Sequence, residues 1–231
     1  MSGNSLGAGK DIDESAGKGV TANTGDVPAG NSHILDKGTN KSDYRGFLET
    51  SKQKYGLEST PPVITVTGFS NSGKTTFLTQ IVNLLTEKGV AVGVIKNHGH
   101  AKDGVDQEGK DSWKYFQAGA NPVVLSSSAQ YAIFVSTPQK PASRDELVAK
   151  IADNVDLVLV EGFHGVAQGA IEVSRKVNGK PAKLSVDKRI ALVTDNEELA
   201  EEMREHNKPV FALDDYTGFT NWLCEFLQLA S

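Results

Sequence analysis

Two rhythms of apolar and polar residues divide the chain. Over residues 1 to 60, apolar positions are sparse and scattered among Gly, Ser, Asn, Asp and Lys. Such a composition buries too little surface to offset the entropy of ordering, so this head reads as disordered. The exception is Ser42 to Tyr55, where Tyr44, Phe47, Leu48 and Tyr55 fall near one helical face behind a Ser42 cap, the pattern of a weak helix. From Pro61 onward, short apolar runs alternate with amphipathic stretches. That alternation predicts a mostly parallel sheet covered by helices, folded over residues 61 to 231.

Within this α/β domain, strands are expected at Val63 to Thr67, Val90 to Lys96, Pro122 to Ser126, Tyr131 to Val135, Val155 to Val160, Ile171 to Arg175, Ile190 to Thr194 and Val210 to Leu213. The third and fourth are separated by so few residues that they read as a small β-hairpin insertion. Helices are expected at Lys74 to Lys88, Asp111 to Ala118, Arg144 to Ala152, Asn196 to His206 and Gly218 to Leu229. Two of these open with capping-box spacing, Ser143 with Glu146 and Asp195 with Glu198.

One segment adds chemistry to this outline. Gly68-Phe69-Ser70-Asn71-Ser72-Gly73-Lys74-Thr75 matches G-x-x-x-x-G-K-[ST], and it lies between a β-branched strand and an amphipathic helix, as a phosphate loop requires. Glycines let successive N–H groups point at phosphate oxygens, and the helix N-terminus adds partial positive charge. Lys74 is expected to reach the β- and γ-phosphates, and the Thr75 hydroxyl to join the oxygen ligands of Mg²⁺. Such a loop works with an acidic residue at the carboxyl end of a neighbouring buried strand. Asp156-Leu157-Val158-Leu159-Val160-Glu161-Gly162 offers Glu161 there, whereas Asp156 at the opposite end reads as a turn residue. The expected fold is therefore a three-layer P-loop NTPase with helices on both faces of the sheet.

Composition narrows the partners. A formal net charge of −5 gives no basis for broad binding to nucleic acid. No stretch approaches the ~20 apolar residues of a membrane span, and the first thirty residues lack the apolar run of a secretion signal, which points to the cytoplasm. The single cysteine, Cys224, excludes an internal disulfide framework.

The polar middle segment carries further candidates. Lys96 ends the second strand and Asn97-His98-Gly99-His100 follows, then Gly109-Lys110-Asp111-Ser112 and Ala118-Gly119-Ala120. His98 and His100 are a sparse donor set for a metal, and contact with an anionic ligand suits them equally.

With the loop Gly68 to Thr76, the Ile95-Lys96 and histidine cluster, Gly-Lys-Asp-Ser at 109 to 112 and Val-Glu-Gly-Phe at 160 to 163, the chain from Val63 onward resembles the molybdopterin-guanine dinucleotide biosynthesis adapter family, the MobB-type GTP-binding proteins. The family usually has His directly after the lysine, where this chain has Asn97. The resemblance implies a GTP-binding, weakly hydrolysing homodimer. Its implied partner is the molybdenum cofactor guanylyltransferase, with molybdopterin and molybdoenzyme chaperones as further ones. Residue by residue, it implies nucleotide binding by Ser70, Asn71, Ser72, Gly73, Lys74, Thr75 and Thr76, Mg²⁺ binding by Thr75 and Glu161, and a switch or substrate-facing role for Lys96, His98, His100 and Asp111.

Guanine presents N1–H and N2–H₂ donors that one carboxylate can accept together, and Asp195 at the end of a late strand is the candidate, with a plain helix cap as its alternative. Two other readings use the same loop. In a small-molecule kinase, Asp111 would be the base for an acceptor hydroxyl. In a nickel-type metal-insertion GTPase, His98 and His100 would hold a transition metal.

Overall fold

The computed structural model describes residues 61–98, 106–137, 140–163 and 169–229. The head and its expected helix at Ser42 to Tyr55 lie outside the described residues, as does His100.

A six-stranded, fully parallel sheet forms the frame, in the order β2-β5-β1-β6-β7-β8. Its strands are β1 (Val63–Thr67), β2 (Val92–Lys96), β5 (Leu157–Glu161), β6 (Ala170–Ser174), β7 (Arg189–Thr194) and β8 (Val210–Phe211). The connecting helices are α1 (Lys74–Glu87), α2 (Asp111–Gln117), α3 (Arg144–Ala149), α4 (Glu197–Glu205) and α5 (Tyr216–Leu227). The helix expected to run to Ala152 stops at Ala149 and passes into a 3-10 turn at Ala152–Asn154. The second strand starts at Val92 rather than Val90, because the Val90 N–H donates to Leu85 O and closes the end of α1.

Side chains alternate across the sheet, and the two faces build separate cores. Leu157 and Leu159 of β5 join Ile64, Val66, Ile171 and Val173 against α1 and α5, with Phe77, Phe219, Trp222 and Phe226 as the large fillers. Val158 and Val160 point the other way, with Ile95, onto Leu147 and Val148 of α3 and Ile151. Layers on both faces leave the phosphate loop at the carboxyl edge, where β1 meets α1.

Two caps illustrate how sequence sets helix starts. Ser143 and Glu146 form the expected capping box on α3. On α4 the cap is Asn196, whose side chain accepts from Glu198 N, and not Asp195. The hairpin also forms, from β3 (Val123–Ser126) and β4 (Tyr131–Phe134). Ser127 Oγ accepts from the N–H groups of Ala129 and Gln130 in its turn, and the Asn121 side chain clamps Ser136 at its base. Val124, Leu125, Tyr131 and Ile133 of the hairpin are exposed. Among the described residues, no helix is long and apolar enough to cross a membrane.

Candidate functional site

Local backbone requirements explain the loop. Gly68 has φ +144°, and a Cβ there would lie 2.2 Å from Val173 O of the adjacent β6, so only glycine fits. Asn71 (φ 63°) and Gly73 (φ 89°) also take left-handed conformations, which Asn tolerates better than most residues. The turn closes with Ser72 N–H on Phe69 O, and α1 begins with Phe77 N–H on Gly73 O at 2.9 Å. No side chain caps α1, and its first turn holds no acidic residue. Its N-terminal N–H groups and positive dipole end therefore suit an anion. Inside the loop, the buried Ser72 Oγ has no hydrogen-bond partner among the described residues.

Lys74 folds back over the loop, donating to Gly68 O at 3.0 Å and Phe69 O at 2.7 Å. Burial pulls its ammonium below the ordinary lysine range; Glu161 opposes this, while the charges of Lys183 and Lys96 add to it. Lys183 is brought near by a buried network on β6 and β7. Glu172 accepts the Lys183 and Leu184 N–H groups, and the Arg189 guanidinium lies between Glu172 and Glu202.

On the β5 side, Glu161 ends its strand at 7% exposure, and its carboxylate accepts the Thr75 hydroxyl proton at 3.1 Å. The parallel register sets Lys96 beside Glu161 on β2. The Lys96 ammonium donates to Thr75 Oγ1 at 3.1 Å and lies 3.4 Å from Glu161 Oε2. Past the strand ends, Asn97 N–H donates to Glu161 O at 2.8 Å, and the Asn97 amide to Gly162 O at 3.3 Å. Gly162 (φ +88°) is required, since a Cβ would lie 2.7 Å from Asn97 O. The amide at position 97 thus serves as a strand-end lace.

On the β6 side lies a residue that the sequence did not single out. The Arg175 guanidinium packs so closely on the loop that a Cβ on Gly73 would be 3.2 Å from its Nε and Nη2, and that buried Nε has no hydrogen-bond partner among the described residues. A cation directly after a buried strand was its only sequence signal; that the strand adjoins β1 is a non-local fact. Lys180 Nζ stands 4.8 Å from the Phe69 ring centroid. Asp195, exposed at the end of β7, accepts the Lys176 N–H at 2.6 Å through Oδ1.

The structure therefore gathers Lys74, Thr75, Lys96 and Glu161, with Ser70, Asn71 and Thr76 exposed on the same loop and helix start. Asp111 pairs instead with Lys114 along the exposed surface of α2. His98 is exposed, and among the described residues no cluster of three or more His, Cys, Asp or Glu could hold a metal.

Such an edge, with glycines, a lysine and a helix N-terminus on one side and a carboxylate on the next strand, is built to hold nucleotide phosphates. A family profile described as Molybdopterin guanine dinucleotide synthesis protein B matches residues 63–195. The molybdopterin-guanine dinucleotide biosynthesis adapter protein of Haemophilus influenzae is 39% identical over 136 residues, covering 58% of this chain and 75% of that protein. Its Escherichia coli counterpart is 30% identical over 172 residues, covering 72% and 94%. The crystal structure of Bacillus subtilis MobB superposes with a TM-score of 0.56 at 28% identity, covering 71% of this chain and 97% of that one.

Proposed function

The chain belongs to the molybdopterin guanine dinucleotide synthesis protein B family, the adapters of molybdopterin guanine dinucleotide biosynthesis, and we propose that it works there as a cytoplasmic, homodimeric Mg·GTP-binding switch beside the guanylyltransferase. The observation that carries this reading is the meeting of Lys74, Thr75 and Glu161 under the uncapped N-terminus of α1. Thr75 and Glu161 offer hard oxygen donors 3.1 Å apart, the donor chemistry that Mg²⁺ takes. Thr75 and Glu161 would hold a Mg²⁺ ion, which would supply positive charge against the β- and γ-phosphates.

The chain's own groups then divide the ligand. Lys74 exchanges its carbonyl partners for phosphate oxygens, and the loop N–H groups from Ser70 to Thr76 complete the cradle. With the metal donors on the β5 side, the nucleoside extends toward β6 and β7. There Arg175 offers its Nε, which has no hydrogen-bond partner among the described residues, and Asp195, steadied by the Lys176 N–H, reads guanine through its remaining lone pairs. Turnover is slow, because phosphoryl transfer needs an oriented water and an added cation that a partner protein can supply. The exposed apolar hairpin supplies the face that a second copy covers.

Calorimetry with GTP and ATP at saturating Mg²⁺ tests the base assignment. GTP should bind at least about tenfold tighter, and Asp195→Asn should narrow that ratio by about fivefold, about 1 kcal/mol, the net worth of one ordinary hydrogen bond. Equal affinities for the two nucleotides would overturn the GTP assignment.

A further inference from the structure

The Lys96 ammonium lies where the two groups assigned to the divalent cation converge. It is 3.1 Å from Thr75 Oγ1 and 3.4 Å from Glu161 Oε2, and those two groups are themselves bonded at 3.1 Å. The position is built in at the backbone. Lys96 faces Glu161 across the β2–β5 ladder, and Asn97 fastens both strand ends immediately beyond. A nearly buried carboxylate needs a compensating charge, and Lys74 directs its own ammonium to the loop carbonyls instead. Lys96 meets that need, and its side chain, 49% exposed, is free to swing away into solvent.

We propose that Lys96 is a tethered counter-ion of the metal site. With no divalent cation present, its ammonium neutralises Glu161 and occupies the Thr75 hydroxyl oxygen. Before an Mg²⁺ ion can approach those oxygens to about 2.1 Å, the ammonium must leave them, because both cations seek the same lone pairs. Lys96 therefore sets the apparent metal affinity of the nucleotide complex, by holding part of the population in a form that cannot take metal. This inference rests on the Mg·nucleotide reading above.

Mn²⁺ serves as the probe, its free concentration followed by electron paramagnetic resonance during titration of the full chain with a non-hydrolysable GTP analogue. Lys96→Met is expected to lower the Mn²⁺ concentration at half-saturation by about fivefold, whereas Lys96→Arg, which keeps the charge, stays within about twofold of wild type. A second neutral variant, Lys96→Gln, repeats the measurement, and thermal melts establish that each variant is folded. Unchanged Mn²⁺ binding in the neutral variants would overturn the proposal. Weaker Mn²⁺ binding would overturn it too, since Lys96 would then be holding phosphate rather than the metal's place. Nucleotide binding by wild type is measured separately by calorimetry. If it is absent, the nucleotide reading and the Lys96 inference fall together; if it is present and only the Lys96 shifts are missing, the nucleotide reading stands.

Discussion

The phosphate edge and the β3–β4 hairpin invert the usual rule of burial in opposite senses. At the edge, polar groups are held inside: Ser72 and Glu161 are nearly inaccessible, and Lys74 is partly enclosed by the loop that it serves. On the hairpin, apolar groups stand outside, with Tyr131 72% exposed and Val124 and Ile133 paired across the strands in the open. Neither arrangement contributes to stability as an ordinary core would, since enclosed polar groups lose hydration and exposed apolar ones keep theirs. In the function proposed above, the edge takes an anion and a cation, and the hairpin another apolar face.

If the two regions serve different partners, each can be broken without the other. The largest effect is expected from Lys74→Ala, which should leave the chain folded yet weaken GTP binding at least about tenfold, about 1.4 kcal/mol or more, by calorimetry. Its oligomeric state should not change. Conversely, Ile133→Asp places a charge on the apolar hairpin face and should shift a dimer toward monomer in sedimentation velocity. GTP affinity should then stay within about twofold, because the substitution touches no residue of the loop. Loss of GTP binding together with dissociation would mean that the two regions form one site.

The smallest effect concerns protons at Lys74. Burial holds the free ammonium below the ordinary lysine range, and phosphates favour its charged form. Binding should therefore take up a fraction of a proton on the alkaline side, and GTP affinity should decline with rising pH sooner than an unperturbed lysine would dictate. Calorimetry at pH 8 in two buffers of different ionisation enthalpy reads the uptake directly. Identical enthalpies would show that Lys74 binds without titrating.

Local chemistry was legible in the sequence, and what depended on neighbours was not. The bounds of β1 and the start of α1 follow from a β-branched run, a glycine-bounded loop and an amphipathic period, all within one stretch of chain. The hairpin was likewise legible as two short apolar runs, but its exposure was not, because the same runs would suit a buried sheet. Asp195 had capping-box spacing, yet its carboxylate is taken by the Lys176 N–H from the adjacent strand end, and Asn196 caps α4 instead. The Lys96–Glu161 pair depends on the β2–β5 register, and Arg175 on β6 lying beside β1. Strand order of that kind is set by packing of the whole sheet and leaves no local mark.

If Thr75 and Glu161 hold the metal of a bound nucleotide, a Mg²⁺ titration of GTP affinity will register it. Glu161→Gln keeps the size and hydrogen-bonding shape of the side chain while removing its charge. Wild type and variant should bind GTP comparably in EDTA, and Mg²⁺ should then tighten binding by wild type much more than by the variant. Two titrations that overlay would contradict it.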